Sequence, residues 1–122
     1  MNIELRNSES LIKQGSANHW QGWEAVGGRL FLTDQRLVFK SHKVNVQKHE
    51  ISMELEEVVS IKQRNNFLLV PNGISIFLQN GHEEQFVVWS RKDWINKIRQ
   101  AKLTRGKALK REITVKNERS GS

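Results

Sequence analysis

Short apolar alternations separated by turn residues fill the chain from Ser10 to Trp89, and a period of two marks antiparallel strands with one buried face. Ser10 to Lys13, carrying Leu11 and Ile12, predicts a short first strand. Leu30 and Leu32 alternate with Arg29, Phe31 and Thr33, and after Asp34-Gln35 the run Arg36 to Lys40 resumes the pattern, which predicts a hairpin. Val46 to Met53 predicts another strand, with His49, Ile51 and Met53 on one face and Lys48, Glu50 and Ser52 on the other. Glu54, Glu56 and Glu57 mark an acidic corner before Val58 to Ile61. Phe67 to Val70 and Ile74 to Leu78 read as strands joined through Pro71-Asn72-Gly73. Asn80-Gly81 then leads into Glu84 to Trp89 as a type I′ hairpin turn, because both residues tolerate positive φ.

At Ser90 the period becomes helical. Trp94, Ile98 and Ala101, with Ile95 alongside, make an apolar stripe, and Ser90 with Asp93 resembles a capping box, so a helix is predicted from Arg91 at least to Leu103. Gly106 weakens a continuation to Arg111; Ile113-Thr114-Val115 reads as a short extra strand and Ser120-Gly121-Ser122 as linker. The predicted fold is therefore mainly β with one C-terminal helix: a bent antiparallel sheet or partly open barrel of about seven strands, capped by that helix. Residues 1–103 form the expected domain, and 104–122 a basic C-terminal extension expected to be partly disordered.

The stretch Gly27-Gly28-Arg29-Leu30-Phe31-Leu32-Thr33-Asp34-Gln35-Arg36-Leu37-Val38-Phe39, followed by Gly81 before Phe86 and by Arg91 with Trp94 opening the helix, resembles the GRAM domain pattern. The resemblance spans about residues 8–101 and implies the pleckstrin-homology-like superfold. It also implies a lipid- or protein-binding, non-enzymatic module, here a free-standing copy of bacterial type. It implies nothing about the basic segment that follows.

Charge sharpens the picture because it is unevenly distributed. Residues 1–96 hold 11 basic and 11 acidic side chains, while 97–122 hold nine basic against two acidic, so the whole net charge of +7 lies at the C-terminal end. Such an end suits an anionic surface, whether acidic lipid, nucleic acid or acidic protein, although a solvated helix face accounts for it equally. The length of 122 residues fits one domain, and no apolar run reaches the roughly 20 residues of a spanning helix. The start lacks a basic stretch followed by an apolar one, so no secretory signal is read and the expected location is cytoplasmic, peripheral to the inner face of the membrane. The absence of cysteine removes disulfides and thiolate chemistry.

Arg36, Lys40, His42, Lys43 and Lys48 gather at one predicted rim of the sheet and are the candidate ligand- or lipid-binding residues. They could hold a phosphate or acidic head group through charge-assisted hydrogen bonds. Ordinary solvation of a hairpin edge accounts for the same lysines. Trp20 and Trp23, placed in a predicted loop around Gly22, suit a membrane interface or a partner contact, together with Lys102, Arg105, Lys107, Lys110 and Arg111. Trp89 and Trp94 are expected in the core. His42 and His49 lack a third ligand by spacing, so no metal site is read. No catalytic constellation and no cofactor motif stands out.

The favoured reading is peripheral association with anionic membrane lipid or a protein partner. Nucleic acid ranks second, since residues 97–122 carry no aromatic side chain for base stacking. A self-associating structural adaptor, using the tryptophan loop or an unpaired strand edge, is the remaining alternative.

Overall fold

The computed structural model describes residues 2–42, 50–66 and 70–120. Its strands are β1 (Leu11–Gln21), β2 (Glu24–Thr33), β3 (Arg36–Ser41), β4 (Glu50–Glu54), β5 (Val58–Asn66), β6 (Val70–Leu78) and β7 (Glu83–Val88), with a 3-10 turn at Leu55–Glu57 and the helix α1 (Arg91–Ser120). They form one antiparallel sheet in the order β4-β3-β2-β1-β7-β6-β5, so β4 and β5 are its edges. The predicted mainly β architecture with one C-terminal helix is the one observed.

The β2–β3 hairpin forms where predicted, with Leu32 opposite Leu37 and Leu30 opposite Phe39. All four side chains are buried in the main core, and Thr33 closes the turn by accepting the backbone N–H groups of Gln35 (3.0 Å) and Arg36 (2.9 Å) on Oγ1. Gly28 is required by close approach: a Cβ there would fall on the Lys40 carbonyl oxygen and within 2.7 Å of Phe39 Cζ.

The structure departs from expectation in several places. β1 runs on to Gln21 and pairs with both β2 and β7, so Trp20 is a strand residue and only Trp23 of the pair lies in the turn. Pro71-Asn72-Gly73 is part of β6, with Gly73 paired to Arg64, instead of a connection; the expected strand residues 67–69 lie outside the described residues. Asn80-Gly81 is not a type I′ turn, for Gly81 has φ 89° and Asn80 is not among the positive-φ residues. Gly81 N–H donates to Leu78 O at 3.0 Å and Leu78 N–H to His82 O at 2.9 Å, which is the three-residue hairpin with a left-handed glycine. Ile113-Thr114-Val115 is helical, because α1 continues without interruption past Gly106. Trp89, expected in the core, is 74% exposed: Phe86 and Val88 take the inward positions of β7, and the next inward-facing ring is Trp94, 2% exposed.

The core lies between the concave face of the sheet and the first three turns of α1. Trp94, Ile95, Ile98 and Ala101 pack there with Leu55, Ile74, Ile76 and Phe86. Asp93 does not complete a capping box, since Ser90 has φ 57° and the Asp93 carboxylate receives Lys13 Nζ at 2.6 Å and Lys97 Nζ at 3.0 Å. Lys13 thereby ties β1 to the start of the helix and also sits over the Trp94 ring, 5.0 Å from its centroid.

Candidate functional site

The predicted basic rim is built on β3, and the chain's own N-terminal segment occupies much of it. Arg36 donates from Nε to Glu9 Oε2 at 2.8 Å, and from Nη2 to Glu9 Oε1 at 3.1 Å and to the Glu4 carbonyl at 2.9 Å. Lys40 Nζ donates to the Asn2 carbonyl at 3.1 Å, and Arg6 forms a two-pronged pair with Glu54 at the neighbouring edge. Glu9 anchors this segment. Its side chain is fully buried and also accepts the Arg6 backbone N–H at 2.7 Å and the Thr33 hydroxyl at 2.7 Å. Burial alone would raise its pKa; hydrogen bonds from Arg36, the Arg6 backbone and Thr33, helped by the guanidinium charge, outweigh burial and lower it from 4.5 to about 2. Phe31 and Val38, paired across β2 and β3, are buried on this same face, opposite the main core. Of the other predicted rim residues, His42 is exposed and borders a cavity of about 320 Å³ shared with Asn18, Asn72 and Trp89. Lys43 and Lys48 lie outside the described residues, as does His49 of the histidine pair considered above.

The second predicted set is divided by the fold. Trp20 is half-buried, whereas Trp23 is 89% exposed at the β1–β2 turn. Lys102 Nζ bonds the Val58 carbonyl, and Arg105 Nε reaches Glu56 at 3.4 Å, so both are drawn to the body of the domain. Lys107, Lys110 and Arg111 are exposed on the part of α1 beyond it.

Two features escape a reading of the sequence. The first is a groove of about 440 Å³ between the edge strand β5 and α1, with Val58, Ile61 and Ile98 at its base and Val59, Lys62, Arg99 and Leu103 around it. The adjacent apolar residues Val58-Val59 and the exposed Leu103, just past the helical stripe, are the only sequence signals for it. The second is His19, 2% exposed, whose Nε2 lies 2.6 Å from Glu84 Oε2 and whose ring packs on Phe86 and Phe39 at centroid distances of 4.9 and 5.6 Å. Histidine at an inward strand position carries no apolar signal. Among the described residues, no group of three or more His, Asp or Glu side chains is placed to hold a metal ion, and no helix is long and apolar enough to cross a membrane.

A bent seven-stranded antiparallel sheet capped by a C-terminal helix defines a pleckstrin-homology-like domain. Solved structures agree. The C-terminal domain of an unknown protein from Leishmania infantum is similar with a TM-score of 0.70 at 18% identity, covering 80% of this chain and 87% of that one. The Vps36 N-terminal PH domain gives 0.63 at 19% identity, with 88% and 86% covered. The linker-DH/PH domains of p115-RhoGEF give 0.64 at 12% identity, with 80% of this chain and 30% of that one. The GRAM domain family model matches residues 1–105, and the chain belongs to the GRAM domain family. Among proteins with a curated description, none matches this chain significantly in sequence.

Proposed function

We propose that this GRAM domain is a non-enzymatic binding module that associates peripherally with an anionic membrane surface through the distal part of α1. The observation carrying this reading is the placement of charge. From Gly106 to Glu118 the helix is almost wholly exposed, and this stretch bears Lys107, Lys110, Arg111 and Lys116 against Glu112 and Glu118. Its polar residues are spread around every face, which suits electrostatic contact at the head-group level and not insertion of an apolar face. At about 1 kcal/mol per basic residue near an acidic leaflet, three or four acting together give weak, salt-sensitive adhesion. Trp23, on its exposed turn, would serve as an interfacial anchor. The rim residues Arg36 and Lys40 join only if lipid displaces the N-terminal segment that holds them.

The test is sedimentation with phosphatidylserine-containing and with purely zwitterionic vesicles, at low and high salt. The triple variant K107E/K110E/R111E is the comparison. Salt-sensitive binding to the acidic vesicles, lost in the variant, is expected; equal binding of both proteins, or none at low salt, removes the reading. A second reading, a protein partner, is favoured by the groove between β5 and α1.

A further inference from the structure

We propose that the groove between β5 and α1 receives an extended acidic peptide of a partner protein, which adds to the sheet alongside β5. This rests on the protein-partner reading and gives it a site and a chemistry. β5 is a terminal strand: β6 pairs with one side of it and the groove borders the other. Along that open side the Val58 and Ile61 carbonyls are met by side chains, Lys102 Nζ on the first and Arg99 Nη2, at 3.0 Å, on the second. The two carbonyls lie three residues apart on a strand whose register with β6 shifts between Val58 and Ser60. Two cations therefore rest on neutral acceptors, where a backbone N–H would serve as well and a carboxylate would draw the cations more strongly.

The groove itself is apolar and open. Val58, Ile61 and Ile98 are buried at its base, while Val59 and Leu103 remain 58% and 61% exposed. Its volume of about 440 Å³ is that of a ligand-sized cleft. Lys62, Arg99 and Lys102 line it and, among the described residues, no acidic side chain does, so charge complementarity selects an acidic occupant. Beyond Gln63 the strand is tied to β6, where Arg91 Nη1 donates to Arg64 O at 3.3 Å, Asn65 Oδ1 at 3.0 Å and Gly73 O at 3.4 Å. The stretch from Val58 to Gln63 accommodates about six peptide residues at roughly 3.3 Å each. An incoming strand would offer its N–H groups to Val58 O and Ile61 O and bury alternate apolar side chains against Val59 and Leu103. Arg99 and Lys102, released, would turn to its carboxylates. A second copy of the chain fits less well, because pairing β5 with β5 would bring Lys62, Arg99 and Lys102 against their own equivalents.

The probe is a displayed library of random dodecapeptides, panned against the full chain, with the enriched sequences synthesised and titrated. Enriched peptides should alternate acidic and apolar residues, and their binding should shift and protect the backbone amides of Val58 to Gln63. R99E/K102E should weaken them about tenfold or more, whereas K107E/K110E/R111E should change affinity by less than about twofold. V59E, at an exposed position, repeats the test without touching either carbonyl tie. Binding that survives both V59E and R99E/K102E, or that shifts amides at Trp23 or β4 instead, overturns the groove and leaves the protein-partner reading standing. Failure to enrich any peptide, or self-association of the chain through β5, overturns the proposal as well. Vesicle sedimentation then decides separately whether the membrane reading holds.

Discussion

Glu9 is the residue on which the N-terminal segment depends, and Glu9→Gln isolates its charge while keeping its shape. In the folded protein the carboxyl is held at about 2, against an ordinary value of 4.5. At about 1.4 kcal/mol per pH unit, that gap is worth about 3 kcal/mol. The side chain is fully buried and Arg36 is only 14% exposed, so solvent screens the pair weakly. A carboxyl whose folded pKa is depressed contributes stability that is complete above 4.5 and is lost as pH falls through about 2. E9Q mimics the protonated form. Its deficit should therefore be about 3 kcal/mol near neutral pH, roughly 10 °C in Tm for a domain of this size, and should shrink towards zero as pH falls from about 4.5 to about 2. Urea unfolding followed by tryptophan fluorescence, run on both proteins across that range, measures the difference. A deficit of constant size down to about pH 2 would refute the reasoning, because it would mean that the amide disturbs packing and that the Arg36 charge is not what Glu9 supplies.

Three other substitutions examine the fold. W94A should cost about 3–5 kcal/mol by emptying the core beneath the helix, while W89A, at a 74% exposed position, should stay within about 0.5 kcal/mol; similar urea midpoints for the two would contradict the inward assignment. G28A should destabilise by at least about 2 kcal/mol, since its Cβ has only the Lys40 backbone and Phe39 ring to move, and a near-neutral thermal melt would show that β2 and β3 are not so closely apposed.

The strands that carry large apolar side chains at alternate positions were legible in the sequence. Leu30, Leu32, Leu37 and Phe39 pair across β2 and β3 as their period implies, and the Trp94-Ile98-Ala101 stripe faces the core. β1 was not legible beyond Lys13, for a physical reason. Its buried positions are Ala17 and His19, with Gly15 partly covered, and none gives an apolar alternation. The bulk belongs to residues far along the chain: a Cβ on Gly15 would lie 3.4 Å from Trp94 Cζ2, and Phe39 and Phe86 surround His19. Leu11 and Ile12, which signalled the strand, are 41% and 42% exposed. Trp89 was misplaced for a simpler cause, since the two-residue period that puts Phe86 and Val88 inside puts Trp89 outside.

Charge was the harder quantity to read, because a linear count treats every lysine and arginine as available to a ligand. Folding removes that equivalence. Arg36 meets Glu9 across 27 residues of sequence, Arg99 meets Ile61 across 38 and Lys102 meets Val58 across 44, and none of these contacts leaves a local pattern. The rim expected to bind an anion is instead partly neutralised by Glu9 and capped by the carbonyls of Glu4 and Asn2. Lys107, Lys110 and Arg111 remain exposed on the distal helix. Between these limits stand Arg99 and Lys102, whose partners are neutral carbonyls. Exchanging a carbonyl for a carboxylate gains charge attraction, whereas taking Arg36 from Glu9 strands a buried carboxylate. The readiest cations are therefore those along the β5–α1 groove and on the helix beyond it, and an anionic partner should engage these before it engages β3.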